Sequence, residues 1–343
     1  MNNESVINIH KETQRIAYFD ALRLICIFGV VMLHVSDDGI VASIGSQEWN
    51  SALVYVSLSH WILPIFIMIS GALFLNPAKM VTMKELYGKY VLRLLLAYLF
   101  WVLAYAVVGY MMSKMTGGGI FIFKQHFHLW FLPLLISIYM LIPLMKVIAK
   151  DLTLSKYALI LWCTYLLGRS IFQIEVPQIS PLFETNTILG YGGYFLLGYY
   201  LSQIDIKTKV RAVIYGLGLF ALIVPYCYVF HNSFTKGETD LSLFNNLNLN
   251  VVIICITVFV LVKELFNKII SVRINWLLEY TRKELFGLYL VHAIWLIVIN
   301  RSPMREVCSQ WISVPIITVV IFVLSLYTTK LLRVIPVLRR GVE

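Results

Sequence analysis

The first hydrophobic stretch of the chain, Tyr18–Val35, reads YFDALRLICIFGVVMLHV and decides the fold class. As a helix it is long and apolar enough to cross about 30 Å of hydrocarbon. It also carries Asp20, Arg23 and His34, and ionisable side chains are costly inside a membrane, so each of them indicates a functional role. The alternative is structural, with an arginine that extends to the headgroups and a histidine bonded to a neighbouring carbonyl.

Arg23 and His34 lie on the same face of this helix. They are eleven positions apart in the sequence. At about 100° and 1.5 Å per residue, that spacing gives roughly three turns and about 16 Å along the axis. One stripe therefore carries a fixed positive charge near one membrane surface and an imidazole beyond the midplane.

The composition of the whole chain is that of a polytopic membrane protein. The 343 residues are 59% hydrophobic and only 13% charged, whereas soluble domains have about a quarter charged residues. Apolar runs long enough to span the bilayer recur along the chain, and we predict helices at 17–36, 52–75, 87–112, 128–149, 155–172, 188–203, 210–231, 247–267, 284–300 and 312–334. We expect an all-α bundle of about ten spans in one domain, 1–343, with a polar cytoplasmic tail at 1–15 and no appended soluble domain.

Basic residues indicate the orientation of the bundle. They concentrate in alternate connecting segments, around residues 79–89, 207–211, 263–283 and 330–340. Because cytoplasmic segments are enriched in Lys and Arg, we predict that both termini are cytoplasmic. This asymmetry also accounts for the net charge of +10 without a nucleic-acid partner.

Two further basic residues lie near the start of the third predicted helix, on the same face. Lys89 and Arg93 are spaced i, i+4 and so share a face. Together with Arg23 they could line a cytoplasmic vestibule suited to phosphates, although Lys89 alone is also typical of a lysine that extends to the headgroups. Glycine and tyrosine cluster in GYGGYFLLGYY (190–200), which predicts close helix packing. The sequence contains no phosphate-binding loop, nucleophile elbow or metal motif, so we predict no metal and no bound cofactor.

Four segments resemble the motifs of the acyltransferase-3 family of integral membrane acyltransferases, in the same order. They are RLICIFGVVMLH (23–34), LPIFIMISGALFL (63–75), HLWFLPLLISIYMLIPLM (128–145) and FGLYLVH (286–292). The first has the family's Arg/Lys-x10-His spacing, and the four segments are spread from residue 23 to residue 292, so the resemblance extends over most of the chain. The size and the HLWF segment look most like members that O-acetylate enterobacterial common antigen.

The resemblance implies a multi-pass enzyme of the bacterial inner (cytoplasmic) membrane, embedded in membrane lipid. Such an enzyme moves an acyl group from cytoplasmic acyl-CoA, most often acetyl-CoA, to a hydroxyl of a cell-surface glycan or lipid-linked sugar. It implies catalytic roles for His34 and Arg23 and donor binding by Arg93 and Lys89. Residues expected to bind the acceptor or shape the site are His128, Trp130, Tyr289 and His292.

Two mechanisms and one competing class of protein stay open at this point. His34 could be the general base that activates the hydroxyl, or it could accept the acyl group and pass it on. The competing class is a transporter or flippase that uses Arg23 and His34 for coupling. Against it, the sequence has neither an internal repeat of half its length nor an evident pair of broken helices.

We predict that reporter fusions after residue 205 or at residue 343 will report a cytoplasmic location, and that fusions after residue 115 or 235 will report the outside. The distribution of Lys and Arg is the physical reason. Paired fusions of a periplasm-active and a cytoplasm-active reporter at each site provide the measurement and its internal control. A cytoplasmic location for the segment around 235 would contradict the orientation and the placement of His34 in the outer half.

Overall fold

The computed structural model describes residues 3–116, 128–172, 185–268, 272–302 and 308–342, and the described chain is all-α. Each of the ten predicted segments coincides with a helix or a consecutive helix pair. The helices are α1 (Asn3–Ser36), α2 (Gln47–Ser59), α3 (Ile62–Phe74), α4 (Met83–Glu85), α5 (Leu92–Thr116), α6 (Phe131–Met140), α7 (Ile142–Ala149), α8 (Leu152–Phe172), α9 (Thr185–Gln203), α10 (Thr208–Lys236), α11 (Leu249–Lys268), α12 (Val272–Arg282), α13 (Leu285–Asn300), α14 (Gln310–Val334) and α15 (Pro336–Val342). Residues 3–15, expected as a polar tail, continue the first helix.

Fewer helices than ten meet the length and hydropathy expected of a complete span. Within the described residues six do so, and the number rises to eight if each of two bent helix pairs is one span. Helices α8 and α9 coincide with the predicted spans 155–172 and 188–203 but are in neither group. The multi-pass membrane class is therefore confirmed, whereas the count of ten spans is not.

The two bent pairs are a feature that the sequence analysis missed. Helices α6 and α7 meet at 57°, and α12 and α13 meet at 74°. Pro143 lies in the first turn of α7, where its ring prevents a continuous helix because it removes a backbone donor and clashes with the preceding turn. Because of this break, α7 does not continue in the direction of α6, which begins near His128.

Glycine allows the backbones of α3 and α9 to approach closely. A Cβ atom on Gly71 would lie 1.8 Å from the carbonyl oxygen of Phe195, and one on Gly198 would lie 2.0 Å from that of Met68. The two backbones therefore touch at positions where no other residue fits. The close packing predicted from the 190–200 cluster is confirmed.

Helix α1 is the centre of the bundle. It packs against α2, α3, α11, α12, α13 and α14, and its Leu22 and Cys26 are completely buried. The helix that carries Arg23 and His34 is thus enclosed by protein along much of its length.

We predict that Gly198→Ala will destabilise the protein by roughly 1–3 kcal/mol, because the added methyl group must push two packed helices apart. Thermal unfolding in a mild detergent is the measurement. Gly216→Ala in α10 is the matched control, since a Cβ atom there meets nothing within 4 Å. That variant should be neutral or gain up to about 1 kcal/mol from helix propensity. Equal stabilities of the two variants would contradict the close contact.

Candidate active site

A cavity of about 250 Å³ opens beside the central helix and joins four sequence motifs. Its walls come from α1, α3, the start of α5, α6 and α13. The lining residues are Arg23, Ile27, Phe66, Ile69, Ser70, Tyr90, Arg93, Leu94, Phe131, Leu132, Leu135, Tyr139, Leu285, Phe286 and Tyr289. Apolar walls with a few convergent polar groups are typical of a ligand site.

Two guanidinium groups reach this cavity from different helices. Arg23 Nη1 donates a hydrogen bond to Oδ1 of Asp20 at 2.7 Å, and the Asp20 side chain is buried. The i, i+3 spacing puts both side chains on one face of α1, so Asp20 holds Arg23 in position. Arg93 lies on α5 with its guanidinium carbon 5.5 Å from the centre of the Phe286 ring. Of the three basic residues predicted to line one vestibule, Arg23 and Arg93 line this cavity and Lys89 does not.

Three histidines from distant parts of the chain meet next to the cavity. The rings of His34 and His292 stack at 5.5 Å with an interplanar angle of 17°. The ring of His128 meets that of His292 edge to face at 4.9 Å. We call His34, His128 and His292 the histidine cluster. These are the histidines of three separate motifs, and only the fold brings them together.

Tyrosine hydroxyls and backbone carbonyls fix the elements that carry the histidine cluster. Tyr289 donates its hydroxyl hydrogen to the carbonyl oxygen of His128, which ties α13 to the start of α6. The Tyr105 hydroxyl donates to the carbonyl of Leu290 at 2.6 Å, and its ring lies 5.2 Å from that of His128. Sequence analysis missed Tyr105, because an isolated tyrosine in a long apolar helix carries no motif.

The tautomer of His292 follows from its hydrogen bond. Its Nδ1 lies 2.5 Å from the carbonyl oxygen of Tyr289, and a carbonyl oxygen can only accept, so Nδ1 carries the hydrogen. The buried Nε2 then holds the lone pair of the neutral ring, and it has no hydrogen-bond partner among the described residues. His292 therefore presents a proton-accepting nitrogen inside the bundle.

Tyr289 connects the cavity to the histidine cluster. It lines the cavity, and its ring lies 5.7 Å from that of His128 and 5.8 Å from that of His292. On α1, Ile27 lines the cavity, and His34 follows two turns later on nearly the same face, about 10 Å further along the axis. The guanidinium groups and the imidazoles thus belong to one continuous region.

Two of the predicted site residues belong neither to the cavity wall nor to the histidine cluster. Trp130 is 44% exposed, and its ring packs at 6.4 Å from those of Phe131 and Tyr191. Lys89 is exposed, with its ammonium group 5.5 Å from the centre of the Tyr90 ring. In the described part of the chain, no group of three or more His, Cys, Asp or Glu side chains is arranged to hold a metal ion.

A comparison with protein families agrees with the motifs. A family model described as an acyltransferase domain matches residues 16–330, a range that contains the whole cavity and the histidine cluster. Neither the curated proteins nor the solved structures gave a match. The comparisons thus support the family and add nothing to the narrower resemblance to the enzymes of enterobacterial common antigen.

We predict that Asp20→Asn will destabilise the protein by about 1.5–3 kcal/mol, because it removes the charged partner of Arg23. The double variant Asp20→Asn/Arg23→Gln should lose less than the sum of the single variants, since the two side chains are coupled. Thermal unfolding in detergent measures the stability of the native protein, the two single variants and the double variant, which together form a double-mutant cycle. Asp240→Asn, which breaks an exposed pair with Lys236, should have a much smaller effect. Strict additivity would contradict the pairing.

Proposed function

This chain belongs to the acyltransferase-3 family, and we propose that it is an O-acyltransferase of the bacterial inner membrane. The donor is acyl-CoA, most simply acetyl-CoA, and the acceptor is a hydroxyl of a cell-surface glycan or lipid-linked sugar. The observation that carries the proposal is the continuity between one cavity with two guanidinium groups and the histidine cluster. Binding of an anionic donor and proton transfer can occur in this one region.

The guanidinium end suits a phosphorylated donor. Arginine binds phosphate oxygens through charge-assisted and often bidentate hydrogen bonds. Asp20 compensates the charge of Arg23, so the net positive charge of these three side chains comes from Arg93. The thioester arm of the donor then lies along the apolar walls toward Tyr289.

The histidine cluster suits activation of the acceptor. A sugar hydroxyl is almost fully protonated at neutral pH, so its attack on a thioester needs a positioned base. In direct transfer, the imidazole of His34 takes the hydroxyl proton while the oxygen bonds to the thioester carbonyl carbon. The carbon–sulfur bond then breaks, and the thiolate of CoA takes the proton from the imidazolium ring.

The same geometry supports a covalent route. A nitrogen of His34 attacks the thioester carbonyl, and CoA leaves as the thiolate. The acceptor hydroxyl then attacks the acyl-imidazole and the carbon–nitrogen bond breaks. Because His34 is acylated, a second base must take the hydroxyl proton in that step, and Nε2 of His292 is suited to it. The proton then passes from His292 to the CoA thiolate, which leaves both imidazoles neutral. This role for His292 goes beyond the sequence-based expectation, in which His292 binds the acceptor or shapes the site.

A transporter or flippase is the second candidate, and one observation favours it. Bent helix pairs such as α6–α7 and α12–α13 are typical of secondary transporters, in which interrupted helices line the substrate site. The sequence showed no evident pair of broken helices, which argued against a transporter. The described part of the structure contains two such pairs, so this argument no longer holds. The family match favours acyl transfer.

The test is to incubate the purified protein with acetyl-CoA labelled in the acetyl group and with extracted lipid-linked glycans. Release of CoA that depends on the acceptor, with the label recovered in glycan, supports the proposal. Uptake of glycan lipid or CoA into protein-containing vesicles, without any chemistry, would favour the transporter class instead.

We predict that His34→Ala will lower acetyl transfer by about 10²–10⁴-fold if His34 is a general base, and to background if it is an acyl carrier. Binding of acetyl-CoA, measured separately by titration, should stay nearly unchanged because the guanidinium end is intact. His231→Ala is the matched control, since His231 is exposed near the end of α10, and it should retain most activity.

Substantial turnover by the His34→Ala protein would contradict the assigned role of His34. A labelled acyl group trapped on His34 in the absence of acceptor would select the covalent route. Failure to trap it, with turnover intact in the native protein, would select direct transfer.

A further inference from the structure

Two lysines that neither the motifs nor the comparisons assign lie at the arginine end of the cavity. Lys79 belongs to the connection between α3 and α4, and Lys146 belongs to α7. The ammonium group of Lys146 donates a hydrogen bond to the carbonyl oxygen of Lys79 at 2.7 Å. The ammonium group of Lys79 lies 3.7 Å from the centre of the Phe74 ring and 5.0 Å from that of Tyr90.

These contacts place Lys79 against the wall of the cavity. Tyr90 and Tyr139 line the cavity, and Phe74 packs between them with ring separations of 4.9 Å and 4.7 Å. Lys79 lies over Phe74 and Tyr90, so one layer of aromatic rings separates its ammonium group from the cavity. The cation–π contacts hold a flexible side chain at a defined position.

The positive charge at this position has no carboxylate partner among the residues that the structure describes. Within the described part of the chain, neither Lys79 nor Lys146 forms an ion pair with Asp or Glu. Burial, together with the positive charges of Lys146, Arg23 and Lys89, lowers the pKa of Lys79 to about 8. Cations held together without a counter-charge favour the binding of an anion.

The cavity is too small to hold a complete acyl-CoA. Pockets that enclose a drug-sized ligand have volumes of roughly 300–1,000 Å³, and this cavity has about 250 Å³. The cavity can take the acyl-thioester arm as far as the phosphate that Arg23 and Arg93 bind, and the rest of the phosphorylated nucleotide then has to lie outside, at the rim.

We propose that Lys79 and Lys146 form the phosphate-binding rim of the donor site and bind the phosphates of the nucleotide end of acyl-CoA. This inference rests on the proposed function and extends it, because it divides the donor between a cavity for the arm and a basic rim for the nucleotide. The same chemistry, an organic phosphate, could also come from the headgroup of an anionic phospholipid. The test therefore separates the two sources.

The experiment compares two thioester probes, acetyl-CoA and acetyl-pantetheine, which lacks the phosphorylated nucleotide. Both are titrated into the protein in an uncharged detergent. Lys79→Ala should weaken acetyl-CoA binding by roughly tenfold or more, as expected for the loss of one charged partner. The affinity for acetyl-pantetheine should stay the same. Lys84→Ala is the matched control, since Lys84 is a nearby exposed lysine away from the cavity wall, and should change neither affinity.

The pH dependence gives a second readout. A lysine with a pKa of about 8 is mostly charged at pH 7 and about 90% neutral at pH 9. Since bound phosphate favours the charged form, affinity for acetyl-CoA should fall by up to about tenfold between pH 7 and pH 9. Lys79→Arg should bind acetyl-CoA with a much smaller fall, because a guanidinium stays charged over this range.

The outcomes separate this inference from the function on which it rests. Wild-type affinity for acetyl-CoA in Lys79→Ala, combined with weakened binding in Arg93→Ala, would overturn the rim and leave the acyltransferase in place. Equal losses for both probes in Lys79→Ala would also overturn it, because they would indicate a structural role. If Lys79→Ala lowers the retention of phosphatidylglycerol but not of acetyl-CoA, the rim takes lipid phosphate and the proposal is wrong. If the native protein binds no acetyl-CoA at all, the proposed function itself fails.

Discussion

The ion pair between Asp20 and Arg23 is the interaction on which the candidate site depends. An unpaired carboxylate or guanidinium is costly in an apolar helix, and pairing at 2.7 Å reduces that cost for both groups. The pair is tolerated because α1 is enclosed by six other helices in the described chain. With Asp20 behind it, Arg23 faces the cavity in a fixed position, and His34 follows on the same stripe.

The polar groups around the histidines are oriented largely by neutral partners. The hydroxyls of Tyr105 and Tyr289 and the Nδ1 of His292 all donate to backbone carbonyls. A carbonyl fixes a tautomer without adding a charge, so His292 keeps its lone pair on Nε2 in a neutral ring. Orientation by carbonyls is compatible with the proposed role of the histidines, which is to accept and return a proton within an apolar bundle.

The guanidinium groups and the imidazoles lie at different ends of the candidate site. Arg23 and Arg93 lie at one end of the cavity, and the proposed rim of Lys79 and Lys146 extends that end outward. Tyr289 leads from the cavity to the imidazoles at the other end. In the proposed reaction, the phosphorylated donor and the neutral hydroxyl acceptor are chemically different ligands, and this arrangement offers different surroundings for each.

The sequence by itself determined the all-α membrane class, the positions of the helices and the shared face of Arg23 and His34, because hydropathy and the helical repeat are local properties. Only the tertiary structure decided that His34, His128 and His292 form one cluster and that Tyr105 supports it. It also placed Trp130 and Lys89 outside the cavity wall, and it showed the bend between α6 and α7. The physical reason is that apolar contacts are not directional, so an apolar helix face can pack against many other apolar faces. Helical periodicity shows which side chains share a face, but which helices become neighbours depends on contacts such as Gly71 and Gly198 against a facing backbone.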